Sequence, residues 1–386
     1  NFGQRPFAYT APTGFKCLNT SSLPTPTIAD GSDHFDVKLW TGNGSSQTIS
    51  GLEFNPDITL IKARTGNAYP VFFDTVRGVN QRLAISPSGG AEADEGSNGV
   101  SAFGSNSFTV TDNSAGDYNV NGPAGGTYSG SSGGYVGWIW NPGSSTTNNT
   151  DGSVTSSVRV NQSAGISIVS WVNGNNTSPT ANTIGHGLNV IPHVVVTKSR
   201  DGTSDWAVKN ESFSNPVRDE LYLNKTNAIA TAGVDLYYRT TSVLGFRETS
   251  IGGNGDEMIA FCFAAVKGFS AFGGPYTGTG TTNGPFQYCG FRPRLIIIKS
   301  SVNGATNNGN DWTIFDTLRA PYNETDAFLE ANTTSSEYTG GQDQIDILSN
   351  GFKPRQGNTQ TNHQSNQYIW FAFAENPFQA NGGLAR

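Results

Sequence analysis

Two acid–base pairs recur at one spacing in this 386-residue chain: Asp74 with Arg77, and Asp316 with Arg319. An Asp-x-x-Arg could do proton chemistry, but the middle of the chain argues otherwise. The aligned positions there are Asn210 and Phe213. Both charges vanish together, as a structural ion pair requires, because deleting one partner alone strands the other's charge. Asp74, Arg77, Asp316 and Arg319 are therefore expected to form structural ion pairs. Gly130-Ser131-Ser132-Gly133-Gly134 matches the nucleophile-elbow pattern, which needs a strand before it and a helix after it. Here it lies in a Gly/Ser run with a strand following, so it reads as a loop. Asp117 to Gly122 carries the first half of a calcium loop, but the twelfth position is Tyr128 where a bidentate Glu is needed. The histidines His34, His186, His193 and His363 have no metal-ligand spacing to one another or to a cysteine. Glu92, Asp94, Glu95, Asp256 and Glu257 could be glycosidase carboxylates, but their polar surroundings read as solvated loops. No catalytic residue, metal ligand or cofactor is assigned.

The elements that position these residues are repeated. Phe291-Arg292-Pro293 leads into Leu295 to Ile298 and Lys299, then Trp312 to Arg319. The same grammar runs from Phe54-Asn55-Pro56 through Ile58 to Ile61 and Lys62, then Val71 to Arg77. A weaker copy runs from Val190-Ile191-Pro192 through Val194 to Val196 and Lys198, then Trp206 to Val208. The lysine follows the proline by 6 residues each time. Each copy closes on an aromatic strand, with rings at Trp138 and Trp140, Phe261 and Phe263, and Phe371 and Phe373. Side chains two apart share a strand face, so each module is expected to push both rings into its own core. The apolar runs after the prolines suit strands buried on both faces, and Phe35 to Trp40 alternates as a half-buried strand does.

This grammar predicts an all-β chain of three tandem β-sandwich modules. Residues 1–32 read as an extended tail or the end of an upstream domain, 33–143 as module 1 and 144–164 as a linker. Residues 165–272 read as module 2 and 273–386 as module 3. Charged residues make up 14% of the chain, well below the roughly 25% of ordinary domains, and 48 glycines serve its turns. A net charge of −7 without a basic block argues against nucleic acid. No apolar run approaches the roughly 18 residues of a membrane span. Cys17, Cys262 and Cys289 are not a disulfide framework, although a Cys262–Cys289 bridge is open. The chain opens on Asn1 and holds only Met258, so it is expected to be part of something longer.

Tyr118, Tyr237, Tyr238 and Tyr338 have no counterparts across the modules. Core residues should recur with the fold and ligand contacts need not, so these four are the candidate ligand-binding residues; tyrosine's apolar face and hydroxyl suit a glycan. Asn1 to Tyr9, with Pro12 to Lys16, resembles the end of a SPRY-type lectin-like domain. Such domains occur in tail-fibre and related virion proteins of tailed bacteriophages, followed by tandem β-modules. The marks of those modules are similar to Trp40 to Gly44, Trp312 to Arg319 and Phe371 to Phe378, with a departure at Asn210 and Phe213. The resemblance implies a non-enzymatic structural protein of the virion, a tail fibre or similar appendage contributing to host attachment. Its partners would be a host cell-surface glycan or protein and other virion proteins, and the family's habit implies a homo-oligomer, a trimer. The alternatives are a polysaccharide-degrading tail protein, with two carboxylates across a cleft, and a secreted filament subunit or cell-surface adhesin.

Overall fold

The aromatic closing strands lie inside three large sheets built to one plan. The computed structural model describes residues 27–111, 117–123, 133–174, 178–231, 237–247, 251–302, 310–341 and 344–376. In the first module the large sheet runs, in spatial order, Phe35–Thr41, Gly134–Trp140, Ile58–Ala63, Val71–Asp74, Gly78–Ala84, Ala93–Asp94. The second repeats this as Ile166–Val172, Glu257–Phe263, Val194–Ser199, Ala207–Asn210, Asp219–Tyr222, Ala230–Thr231. The third runs Ser270–Thr277, Gln367–Asn376, Arg292–Val302, Thr313–Asp316, Leu329–Glu330. Each sandwich is completed by a three-stranded antiparallel sheet, such as Gln47–Ser50, Ser107–Thr111 and Gly99–Gly104 in the first.

Register is shared as well as order. Trp140 lies opposite Phe35 on one side and Ile58 on the other. Phe263 lies between Ile166 and Val194, and Phe373 between Ser270 and Leu295. The proline two residues before Ile58, Val194 and Leu295 thus starts the pairing at the same rung in each module. A one-residue slip would turn every buried ring to the opposite face.

The two faces of each closing strand serve different cores. Tyr135 and Ile139 face the first sandwich's interior, as do Met258, Ala260 and Cys262 in the second and Tyr368, Trp370 and Ala372 in the third. Trp138, Trp140, Ile259, Phe261, Phe371 and Phe373 face the other way, into one core shared by all three modules. This corrects the expectation that each module keeps its two rings to itself. Period two fixes which side chains share a face, but not which face belongs to which core. It also explains the unbroken apolar runs: every residue of Ile58–Ala63, Val71–Asp74 and Val194–Ser199 is buried.

At the centre the last rings meet. Trp140, Phe263 and Phe373 touch pairwise, with centroids 6.3, 5.7 and 5.8 Å apart for the Trp140–Phe263, Trp140–Phe373 and Phe263–Phe373 pairs. Phe72 of the first module stacks on Phe261 of the second at 4.9 Å, and Phe35 on Phe373 of the third at 5.3 Å.

Two boundaries move. Residues 144–164, expected as a linker, carry the strands Thr146–Asn149 and Ser156–Asn161, which extend the second module's large sheet. Their Ser/Thr/Asn composition hid a strand pair at the sheet's edge, where Val158 is buried in the core and Val160 packs against it. Ser270 to Phe272 belong to the third module's opening strand, not to the end of the second. The N-terminal segment is largely outside the described residues; Ile28 reaches the shared core.

Trp140→Ala should cost about 3–5 kcal/mol, the range for deleting a large buried ring. Because its cavity opens onto all three modules, denaturant unfolding followed by tryptophan fluorescence and by far-UV dichroism should stay coincident at the lower midpoint. Separate transitions for the modules would contradict the shared core.

Candidate functional site

The modules join at three seams marked by the same backbone bond. Glu92 N–H donates to Arg200 C=O at 2.7 Å, Ile229 N–H to Ser301 C=O at 2.9 Å, and Glu337 N–H to Arg64 C=O at 2.7 Å. The bonds run from module 1 to 2, 2 to 3 and 3 back to 1, so the chain closes a ring with pseudo-threefold organisation. Tryptophans follow the same cycle: Trp206 Nε1–H donates to Ala84 C=O and Trp312 Nε1–H to Tyr222 C=O, each at 2.9 Å. Pro70 stands at the matching position of the first module. At that seam Trp138 Nε1–H instead donates to Asp316 Oδ2 at 3.1 Å.

Two seams carry the same four-residue ion network. In the first, Arg77 Nε lies 2.5 Å from Asp74 Oδ2, both side chains fully buried, and Arg77 Nη1 reaches Glu92 at 3.0 Å. Arg200, from the second module, grips Glu92 through two bonds of 2.9 and 2.7 Å. The seam between modules 3 and 1 repeats it: Arg319 with Asp316 at 2.5 Å, Arg319 with Glu337 at 3.1 Å, and Arg64 on Glu337 through bonds of 2.9 and 2.8 Å. Burial alone would raise the Glu92 pKa; hydrogen bonds from Arg200 and the charge of Arg77 outweigh it and hold the carboxyl below its ordinary value.

The seam between modules 2 and 3 has lost the whole network. Asn210, Phe213, Ile229 and Ser301 occupy the four places. The backbone bond remains, and Lys299 clamps the seam, its Nζ donating to Thr226 C=O at 2.9 Å and to Asn310 C=O at 2.5 Å. Lys62 does the same across the 3/1 seam, to Thr333 C=O at 2.8 Å and Ala68 C=O at 3.2 Å. Among the described residues Lys198 bonds within its own module, to Ser199, Gly202 and Ser204. Burial pulls the Lys62 and Lys299 pKa values down to about 7 and that of Lys198 to about 8. Beside Ile229 at this seam lies a cleft of about 470 Å³, lined among the described residues by Tyr222, Thr226, Asn227, Ala228, Ile229, Ala230 and Asn310.

The candidate tyrosines are scattered, and one is corrected. Tyr237 is buried in the second sandwich's core against Phe246, at 5.3 Å, and is not placed to touch a ligand. Its failure to recur reflects a core packed differently in one module. Tyr238, its neighbour on the same strand, is half-buried. Tyr118 packs on Tyr69 with the Arg82 guanidinium 3.9 Å above its ring. Tyr338 is partly exposed and stacks on Phe328 at 4.8 Å. The loop acids are not free carboxylates: Glu92 lies between two arginines, Glu95 pairs with Arg82, and Glu257 with Arg200. Asp94 accepts from Gly96 N–H, and Asp256 from Gly253 N–H and Ser199. In the calcium-like stretch, Asn119 Oδ1 accepts from the N–H groups of Asn121 and Gly122, so it holds a turn. Ser131 and Ser132 lie outside the described residues. Cys262 and Cys289 are buried free thiols, not a bridge, and burial pushes the Cys262 thiol up to about 12.

Sequence reasoning missed Arg64, Arg200, Glu92 and Glu337 as network members. The signal existed for the arginines: each stands two residues after the repeated lysine, at 62 and 198. The acids sit in loops of unequal length, where counting from the motif fails.

The chain belongs to the family described as a domain of unknown function, DUF7483, which matches residues 30–377. That span takes in all three modules, so the ring as a whole is the family's unit. No curated protein and no solved structure matches the chain.

Glu92→Gln should destabilise by about 3–5 kcal/mol, since it removes the buried carboxylate that Arg77 and Arg200 share and leaves them Asp74 and the half-exposed Glu257. Transplanting the neutral set, with Asp74→Asn, Arg77→Phe, Glu92→Ile and Arg200→Ser together, should cost less than that single change. Denaturant midpoints compare the two, and a quadruple variant weaker than the single one would contradict the account. The depressed Glu92 pKa contributes stability above the ordinary glutamate value that is lost as pH falls through the folded one. The buried lysines act in the opposite direction. Between about pH 7 and the free lysine value of 10.5, the unfolded chain holds protons that the native Lys62 and Lys299 do not, so stability should rise with pH there. A Lys62→Met/Lys299→Met variant should show a flatter rise in urea midpoint between pH 7 and about 10.

Proposed function

We propose that this protein is a non-enzymatic structural component of a tailed-phage virion, a tail fibre or similar appendage that contributes to attachment to the host cell. The observation that carries the reading is the closed three-module ring. Its strands are spent on cores and seams, which leaves the loop-bearing ends of three sandwiches as the surface it can present to a partner. A rigid scaffold of this kind loses little freedom on binding and can offer several weak contacts at once. The similarity of Trp40 to Gly44, Trp312 to Arg319 and Phe371 to Phe378 to tail-fibre modules points the same way. Partners on this reading are a host cell-surface glycan or protein, other virion proteins and further copies of the chain. No seam needs a second copy to close, so a trimer would use faces outside the ring's own joints.

An antibody raised against the full chain should decorate the tail region of particles of the phage that encodes it, in negative-stain micrographs with gold label. It should also slow adsorption to the host. Label confined to heads, or none on intact particles, would overturn the appendage reading. Release of reducing ends from host capsule by the purified chain would favour the polysaccharide-degrading alternative.

A further inference from the structure

We propose that the cleft at the seam between modules 2 and 3 is a binding site for an uncharged, polyhydroxylated ligand the size of one or two sugar rings. The comparison is internal to the molecule. At both other seams the corresponding space holds a glutamate gripped by an arginine from the next module. Here Ile229 and Ser301 replace that pair, Asn210 and Phe213 replace the pair behind it, and Ile229, at the glutamate's position, lines a cleft of about 470 Å³. That volume lies within the roughly 300–1,000 Å³ of small-molecule sites.

The lining sets the ligand's chemistry. Thr226 and Asn227 are exposed and offer a hydroxyl and an amide; Ala228, Ile229 and Ala230 give a small apolar floor, and Tyr222 an aromatic wall. Among the described residues none that lines the cleft is charged. The charged groups around the cleft are already engaged. Lys225 is paired with Asp205 at 2.5 Å and Glu220 with Lys209 at 3.1 Å, while Lys299 is held by two backbone carbonyls. The cation nearest the cleft, Lys225, lies 5.4 Å over the Tyr222 ring and is already paired with Asp205, whereas a pyranose offers hydroxyls to Thr226 and Asn227 and C–H groups to Ala228, Ile229 and Tyr222. Because Lys299 ties Thr226 to Asn310 across the seam, the walls are fixed before a ligand arrives. The site deepens the attachment reading by naming a ligand class, and it rests on that reading only for the source of the ligand.

The test uses the purified full chain with glucose, galactose, mannose, N-acetylglucosamine, lactose and maltose, and with glucuronic acid and glucosamine as charged comparators. Saturation-transfer NMR and calorimetry read the binding. At least one neutral sugar should bind, and Ile229→Glu/Ser301→Arg, which rebuilds the missing pair across the cleft, should weaken it at least about tenfold. Ala228→Phe fills the cleft from a half-exposed loop and should do the same, which keeps the test decisive if the paired variant does not fold. Binding to none of the neutral sugars, tighter binding of a charged comparator, or affinity unchanged in the filled variants would overturn the proposal. Binding to the purified chain is independent of where the protein sits in a particle, so failure here and failure of the antibody experiment are separate results.

Discussion

Everything in this molecule depends on three aromatic side chains that meet at one point. Trp140, Phe263 and Phe373 end the central segments of three sheets and pack against one another where no module alone could shield them. Each large sheet is therefore buried on both faces, one face by its own small sheet and the other by its two sister modules. A sheet with two dry faces cannot carry alternating charge, which accounts in physical terms for the low charge content and the solid apolar runs.

The seams divide the labour. The apolar centre supplies most of the area removed from water, and with it the drive to associate. The ion networks lie outside it, and buried networks of this kind are better at fixing register than at adding stability. The seam between modules 2 and 3 shows they are not needed for closure. There the backbone bond from Ile229 to Ser301, the Trp312 bond to Tyr222 C=O and the Lys299 clamp hold the alignment. Two buried lysines do for main-chain carbonyls what the arginines do for carboxylates: Lys62 across the joint between modules 3 and 1, and Lys299 across the joint between modules 2 and 3 that lacks the arginines.

Much of the architecture was legible in the residues. The spacing from proline to lysine marks one rung of the ladder in each module, and the paired rings mark the closing strands. What could not be read was direction: Trp138 and Trp140 share a face, but nothing local says whether that face looks into the sandwich or out of it. Composition misled at 144–164, where a polar strand pair rides the edge of a sheet with little to bury. At the candidate site, the joint absence of Asp and Arg at 210 and 213 pointed to a structural pair. The arginines contributed by the next module carried a signal in their spacing from the repeated lysines, but Glu92 and Glu337 sit in loops of unequal length, where counting from the motif fails. Tyr237 shows the limit of arguing from non-recurrence, since cores diverge between copies as surfaces do.

A ring made from three separate but identical subunits would have to accept every amino-acid change three times over, once at each joint. Fusing the copies into a single polypeptide removes that obligation. One joint could shed its arginines and acids for Asn210, Phe213, Ile229 and Ser301 while its siblings kept theirs, because the siblings still held the circle shut. The covalent connection between modules is thus a licence for asymmetry: it lets a symmetric scaffold specialise one corner without gambling the other two.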